Sequence, residues 1–250
     1  MQRYFVEEKN WSEQQVNIDD DDYHHIVNVM RMQPGDEVIC NHPNGHAYQC
    51  SIEKIGDGNV QLLILNKLKD QVELPVNVTL IQGLPKGDKL EWIVQKATEL
   101  GVSTIIPLES KRSIVKWDHK KSSKKIQRLQ KIAKEAAEQS HRTIQPTIEF
   151  PQSLKQIVSV SQSFDHKFVA YEETAREVKT RSIEHYLKEV QAGQSIGIVI
   201  GPEGGIAKEE IDQLYKSGFE PVRLGPRILR TETAPLYLLS VLSYFFEETN

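Results

Sequence analysis

The stretch that decides the fold is SIGIVIGPEGG, Ser195 to Gly205. Its first six residues form a continuous apolar run, which is typical of a strand buried on both faces of a parallel sheet. The glycines end this strand, and a helical pattern begins at Lys208. A strand, a glycine-rich loop and a helix in this order indicate a βαβ architecture.

The same alternation extends to both sides of this stretch. The sequence predicts further strands at Val76–Gly83, Thr104–Leu108, Lys167–Tyr171 and Phe219–Leu224. It predicts helices at Lys89–Leu100, Ser123–Ser140, Ser182–Val190, Lys208–Ser217 and Ala234–Glu247. We therefore expect an α/β domain over residues 74–250, with a parallel sheet covered by helices on both faces.

The first 70 residues have a different pattern. Short strands are predicted at Arg3–Val6, Glu37–Cys40, Ala47–Ile55 and Asn59–Leu65, with tight turns between them. The acidic run Asp19–Asp22 is interpreted as the capped start of one helix, in preference to a metal site. Residues 1–70 are thus expected to form a small β-barrel domain.

The number and spacing of the cysteines and histidines argue against disulfides and against a metal site. Only two cysteines occur in 250 residues, which excludes a disulfide framework. An Asn44-Gly45 turn predicts a hairpin that sets Cys40 opposite Gln49 and turns Cys50 to the other face, so a disulfide is disfavoured. Histidines near these cysteines lack paired zinc-ligand spacing, and we predict no metal site.

The sequence also bears on where the protein works. The N-terminus lacks the basic and apolar regions of a secretory signal. The longest apolar stretch, Pro235 to Phe246, is about 12 residues long, short of the roughly 20 that a membrane span needs. A cytoplasmic protein without a membrane partner is expected.

The net charge of −4 conceals a basic stretch. Between Lys111 and Lys134 stand ten lysines and arginines against one acid, Asp118. Because Ile126, Leu129 and neighbouring apolar residues supply a buried stripe, the lysines of this helix must face outward. A solvated helix face is one explanation, but such faces usually mix both signs, so we favour RNA as a partner.

Two loops carry the candidate chemistry. Gly201–Gly205 offers close backbone approach and free N–H groups, but it is neither a P-loop nor a dinucleotide motif, so ATP and NAD are disfavoured. A simple tight turn remains an alternative for this loop. The second loop, Leu224–Ala234, clusters Arg227, Arg230 and Glu232 where a ligand would bind at the carboxyl ends of parallel strands.

The last helix is expected to be covered on nearly every side. Thr231 or Thr233 is predicted as its N-cap, and Pro235 falls in its first turn. Its residues Leu236–Phe246 are apolar around most of the helix, which a second subunit would cover. A homodimer is the resulting hypothesis.

Both loops, together with QKATELGV at 95–102 and ESKRS at 109–113, resemble the RsmE family of 16S ribosomal RNA uridine-N3 methyltransferases in the SPOUT superfamily. The start Arg3-Tyr4-Phe5, the segment His25–Arg31 and Gly35-Asp36 resemble the PUA-like domain of that family. The resemblance implies a SPOUT-type sheet with a trefoil knot, S-adenosyl-L-methionine as cofactor, a homodimer, and the small ribosomal subunit as partner.

The resemblance also implies roles for residues. Arg230 would stabilise the uracil oxygens, and Glu232 would orient Arg230 or accept a proton, although an acid in the first turn of a helix is equally well explained by the helix dipole. The cofactor-binding residues would be Ile200, Gly201, Pro202, Glu203, Gly204, Gly205, Leu224, Gly225, Ile228, Leu229 and Thr233. RNA contacts are predicted at Arg3, Arg31, Arg112, Lys116, Lys120 and Lys124.

Two alternatives stay open at this point. A non-catalytic RNA-binding module could keep such a loop without binding cofactor. Methylation of a ribose 2′-hydroxyl, which is common in the SPOUT superfamily, is the alternative within the enzyme class.

Overall fold

A computed structural model describes residues 1–69, 71–117, 119–171 and 183–249, without the side chains of residues 119–121. The chain divides into two units. The first comprises Met1–Glu73 and Ala137–Gln145, and the second comprises Leu74–Ala136 and Pro146–Asn250. No helix in the described ranges combines the length and apolar character needed to cross a membrane.

The N-terminal unit contains a five-stranded sheet in the order β1-β3-β4-β5-β2. The strands β1 and β3 are parallel, and the other neighbours are antiparallel. The strand bounds are β1 Arg3–Phe5, β2 Gln15–Ile18, β3 Glu37–Asn41, β4 Ala47–Ile55 and β5 Val60–Lys67. Helix α1, Asp20–His24, continues as a π-helical turn over His25–Val29, and Ile26 is buried in the core of this unit.

The predicted register of the β3–β4 hairpin is wrong by one residue. Cys40 pairs with Tyr48, and Gln49 pairs with Ile39. The cause is the loop, because His42 and His46 are hydrogen-bonded and three residues, ending in Gly45 at φ +83°, make the turn. Cys40 and Cys50 consequently lie in the same core, both fully buried and reduced. The neighbouring Cys50 thiol and burial raise the pKa of Cys40.

The second unit is built on a parallel sheet in the order β12-β10-β11-β6-β7-β8, with β9 also paired to β7. Its strands are β6 Asn77–Gly83, β7 Thr104–Glu109, β8 Thr147–Ile148, β9 Gln152–Ser153, β10 His166–Ala170, β11 Ser195–Ile200 and β12 Glu220–Val222. Apolar residues on both faces of β11 and β6 are buried, as the continuous apolar runs predict.

Helices cover both faces of this sheet. They are α2 Lys89–Glu99, α3 His119–Gln139, α4 Leu154–Val160, α5 Ile183–Leu187, α6 Lys208–Lys216 and α7 Thr233–Ser243, which continues as a π-helical turn over Tyr244–Glu248. The start of the predicted helix Ser182–Val190 lies outside the described residues. Helix α4 was not predicted, although Ser153 and Gln156 form a capping box at its start.

Candidate functional site: a cavity at the carboxyl ends of the parallel strands

A cavity of about 520 Å³ opens where strands β10, β11 and β12 of the second unit end. Ala170, Ile200 and Val222, one from each strand, line its floor. The glycine-rich loop Gly201–Gly205 and the segment Leu224–Thr231 form its walls. This is where open parallel sheets bind their ligands, because the loops that follow the strands converge there.

Glycines of the loop and of the adjoining strand end lie close to neighbouring atoms. A Cβ atom on Gly83 would lie 2.5 Å from the backbone nitrogen of Pro202, and one on Gly201 would lie 2.9 Å from the side chain of Ile206. Gly205 has a φ of +70°, which disfavours other residues. The loop is therefore closely packed, and its three glycines line the cavity together with Pro202 and Glu203.

A buried hydrogen-bond chain joins the two loops. The Thr231 hydroxyl donates to the Gly201 carbonyl at 2.7 Å and accepts from Nε2 of Gln82 at 2.9 Å. Thr231 therefore does not cap α7, and Thr233 is the first helical residue, with Glu232 at the N-cap position. The capping prediction was wrong because the buried Thr231 hydroxyl is hydrogen-bonded to strand β6 and to the glycine-rich loop instead.

Glu210 and Arg112 connect the segment at Lys111 with the start of α6 and with the glycine-rich loop, respectively. The carboxylate of buried Glu210 accepts the backbone N–H groups of Lys111 at 2.8 Å and Ala207 at 3.0 Å. The Arg112 guanidinium donates to the Gly204 carbonyl at 3.2 Å and lines the cavity. Arg112, predicted as an RNA contact, is thus also part of the cavity wall.

Charged groups cluster at the cavity mouth. The Lys89 ammonium lies 2.9 Å from Oε1 of Glu203 and 3.1 Å from Oε2 of Glu232. Desolvation raises the pKa of Glu203, but the hydrogen bonds from Lys89 and from backbone N–H groups outweigh it, so its pKa is lowered. Glu232 faces Lys89 and does not itself line the cavity, whereas Arg227 and Arg230 line it and are exposed.

Most residues predicted to bind a cofactor surround this one cavity. The residues that line it are Ile200, Gly201, Pro202, Glu203, Gly204, Gly205, Leu224, Ile228 and Leu229. Gly225 and Thr233 do not line it: Gly225 lies in the segment Leu224–Thr231, and Thr233 is the first residue of α7. Lys89, Gln82 and Glu210 were not predicted, because each is an isolated polar residue whose partners are distant in sequence.

The predicted RNA contacts fall into two groups. In the second unit, Lys116 and Lys124 are exposed, as are Lys125 and Arg128 of the same stretch. Lys125 lies over the Trp117 ring, and Arg128 pairs with Glu91. The side chain of Lys120 lies outside the described residues. Within the N-terminal unit, Arg31 is exposed and has a φ of +54°.

Arg3 requires a correction. It is only 5% exposed, and its guanidinium donates to Oδ1 of Asn41 at 3.1 Å. Asn41 in turn donates to the Arg142 carbonyl. A guanidinium held in this way supports the packing of the N-terminal unit, and the expected direct RNA contact at Arg3 is not supported.

The fold and the position of the cavity are those of a ligand-binding α/β protein. Comparison with known families identifies the class as RNA methyltransferases. The family model described as the RNA methyltransferase domain matches residues 72–243. A second model, the RNA methyltransferase PUA domain, matches residues 18–65.

Individual relatives are more specific. Ribosomal RNA small subunit methyltransferase E of Bacillus subtilis is 44% identical, over 98% of this chain and 96% of its own length. The Synechocystis enzyme of that name is 35% identical, over 90% and 71%. The structure of the Neisseria gonorrhoeae enzyme of that name, bound to S-adenosyl methionine, is 28% identical and covers both chains fully with a TM-score of 0.85. The chain belongs to this ribosomal RNA small subunit methyltransferase E family, which confirms the sequence resemblance.

Proposed function

We propose that the protein transfers a methyl group from S-adenosyl-L-methionine to N3 of a uridine in 16S ribosomal RNA of the small subunit. The observation that carries this proposal is the cavity, which combines the glycine-rich loop with three arginines, Arg112, Arg227 and Arg230. Backbone groups suit a small cofactor, and arginines suit an anionic or electron-rich nucleic-acid substrate. The relatives from Bacillus subtilis and Synechocystis, both ribosomal RNA small subunit methyltransferase E, support the assignment to ribosomal RNA.

The residues present fit the proposed cofactor. The volume of about 520 Å³ falls in the range of roughly 300–1,000 Å³ that is usual for small-molecule sites. Gly201, Gly204 and Gly205 line the cavity, and because glycine has no side chain, backbone groups form part of the binding surface. Structures of relatives from Neisseria gonorrhoeae and Legionella pneumophila, at 28% and 30% identity, were determined with this cofactor bound.

In the proposed mechanism, Gly201–Gly205, Leu224, Ile228 and Leu229 hold the cofactor, which supplies an electrophilic methyl group. The substrate nitrogen carries a proton that must leave before or during attack. Arg230 lines the cavity and would donate hydrogen bonds to the uracil oxygens as negative charge develops. The Glu232 carboxylate, two residues further on, is proposed to accept the proton or to orient Arg230.

Methyl transfer to purified small subunits that lack the modification tests this function. The subunits are incubated with protein and isotopically labelled cofactor, and the RNA is digested to nucleosides for mass spectrometry. N3-methyluridine is the expected product. A label on a ribose 2′-hydroxyl would indicate the other reaction class, and no transfer together with no binding of S-adenosylhomocysteine would favour a non-catalytic RNA-binding protein.

We propose that RNA is bound along the basic stretch of the second unit, at Arg112, Lys116, Lys120 and Lys124, and at Arg31 of the N-terminal unit. Phosphate neutralisation by lysine and arginine supplies most sequence-independent affinity for RNA. We assign residues 1–70 to a PUA-like RNA-binding domain and residues 74–250 to the methyltransferase domain. Substitution of Arg31 by alanine should weaken RNA binding while leaving cofactor affinity unchanged.

A homodimer is proposed from the outer surface of α7. This helix buries Leu238, Leu239 and Leu242 against its own unit, whereas Tyr237 on the helix and Tyr244 in the π-helical turn that continues it are exposed. Exposed aromatic residues on an apolar helix are typical of subunit interfaces. Light scattering should give twice the 28.6 kDa of one chain. The mass of a single chain at micromolar concentration would contradict the dimer.

We also propose that the second unit is knotted as a trefoil. The Thr231–Gly201 hydrogen bond and the close approach of Gly83 to Pro202 bring three loops together, as the threading of one loop through another requires. An experimental electron-density map traced through residues 196–234 tests the knot. A trace in which no loop is threaded would contradict it.

A further inference from the structure

One lysine connects the two loops that enclose the cavity. Lys89 is the first residue of α2, and its ammonium contacts Glu203 of the glycine-rich loop at 2.9 Å. The same ammonium lies 3.1 Å from Glu232, the residue that precedes α7. Lys89 also lines the cavity. A single positive charge therefore links the loop proposed to hold the cofactor with the segment that carries Arg230.

The position of Lys89 is unfavourable by local rules. A helix N-terminus carries a partial positive charge, so a cation in the first turn is disfavoured and an acid is preferred. The carboxylate of Glu203, which accepts a hydrogen bond from the Lys89 ammonium, and then that of Glu232 nevertheless raise the pKa of Lys89. The attraction of the two carboxylates for the Lys89 ammonium thus exceeds the repulsion from the helix N-terminus. The contacts that Lys89 makes are with residues outside its own helix.

Of the two carboxylates that contact Lys89, that of Glu203 is also held by a backbone hydrogen bond. Oε1 of Glu203 also accepts the backbone N–H of Lys86 at 3.2 Å, which ties this carboxylate to the loop before α2. Glu232 is the less exposed of the two acids, with an 18% exposed side chain against 30% for Glu203. Without the ammonium, two carboxylates would face each other, and like charges at such separations repel strongly.

We propose that Lys89 is a positioning residue for methyl transfer, whose ammonium holds Glu232, and with it the Arg230 segment, against the glycine-rich loop. The inference rests on the function proposed above. Lys89 acts through the two carboxylates: Glu203 fixes the ammonium, and the ammonium fixes Glu232. Displacement of catalytic groups by as little as about 1 Å can cost roughly a hundredfold in rate, so losing this link should act mainly on kcat.

The test compares Lys89→Met with Lys96→Met in methyl transfer to small subunits. Lys96 lies on the same helix with a closely similar exposed fraction, 36% against 35%, and pairs only locally with Glu99, so it is a matched control. K89M should lower kcat at least about tenfold, with a smaller change in the KM for RNA. K96M should keep wild-type kcat, and Lys89→Arg, which preserves the charge, should recover most of the activity.

A double-mutant cycle separates positioning from a general loss of structure. If Lys89 acts through Glu232, then K89M should have a much smaller effect on kcat in a Glu232→Gln background than in the wild type. Thermal unfolding of each variant confirms that it is folded. Wild-type kcat in K89M, or an equal loss from K89M in both backgrounds, would overturn the inference while the proposed function stands. A wild-type protein that transfers no methyl group would overturn both.

Discussion

Arg142 in the N-terminal unit and the pair Arg227 and Arg230 in the second unit have opposite surroundings. In the N-terminal unit, Arg142 is buried, and its guanidinium contacts Oε2 of Glu73 through Nη2 at 2.6 Å and Nε at 3.0 Å. In the second unit, Arg227 and Arg230 are exposed and line the cavity. An arginine whose donors are satisfied inside the protein supports the fold, whereas one presented at a cavity is placed to meet a ligand.

The largest effect expected from this comparison is on stability. Arg142→Ala leaves the Glu73 carboxylate without its guanidinium partner. Breaking a buried pair typically costs about 3–5 kcal/mol, and we expect a loss toward the lower end because Glu73 is 21% exposed and keeps the hydrogen bonds from the Thr143 and Ile144 N–H groups. Urea unfolding measures this loss. Arg128→Ala is the control, because its pair with Glu91 is exposed and should contribute at most about 1 kcal/mol. Equal stability of the two variants would break the comparison.

The next effect is on activity. Arg230→Ala should lower methyl transfer by about 10²–10³-fold, the usual result of losing a donor to developing negative charge. Urea unfolding and S-adenosylhomocysteine affinity should stay near wild type, because the Arg230 side chain is exposed. Arg230→Lys keeps the charge without the guanidinium fork and should retain intermediate activity. Full activity in Arg230→Ala would remove this residue from the mechanism.

A smaller effect is expected from the basic stretch. Replacing Lys116, Lys124 and Lys125 by alanine should weaken RNA binding and flatten its salt dependence, by a slope of roughly 0.7–0.9 for each lost phosphate contact. Filter binding over a range of salt concentrations measures the slope. Alanine at Lys155, Lys188 and Lys216, exposed lysines elsewhere in the second unit, is the charge-matched control. The same slope in both variants would contradict an RNA-binding role for the stretch.

The smallest effect concerns pH. Because the folded-state pKa of Glu203 is lowered, its carboxylate contributes stability above the unfolded pKa of about 4.3, and this is lost as pH falls through the folded pKa. The contribution should be below about 1 kcal/mol, since the ion pair is partly exposed. Unfolding of wild type and Glu203→Gln at pH 7 and pH 3 measures it. A larger difference at pH 3 than at pH 7 would contradict the sign.

The sequence predicted local features better than long-range contacts. The strand Ser195–Ile200 was predicted with its correct bounds, because a continuous apolar run followed by glycine leaves little choice. The hairpin at Gly45 was predicted one residue out of register, because the glycine serves equally well in a two-residue or a three-residue loop. The alternation of apolar and polar residues indicates which face of a strand a residue occupies, but the pairing register of two strands in a hairpin depends on the geometry of the loop between them.

In the candidate site, too, local motifs could be predicted and long-range contacts could not. The glycine-rich loop and Arg230 could be predicted because each lies in a local motif next to a strand end. The burial of Arg3 and the contacts of Lys89 could not, because their partners are 38 residues away for Arg3 and 114 for Lys89. Charged side chains look alike in a sequence, whether they are held inside the protein or presented to a ligand.

A crystal structure with S-adenosylhomocysteine bound tests the central claim most directly, namely that the cavity at the ends of β10, β11 and β12 is the cofactor site. We predict density for the ligand against the backbone of Gly201–Gly205 and against Leu224 and Leu229, with Arg230 at the open side. Density for the ligand at any other place on the chain, with this cavity filled by solvent, would contradict the account.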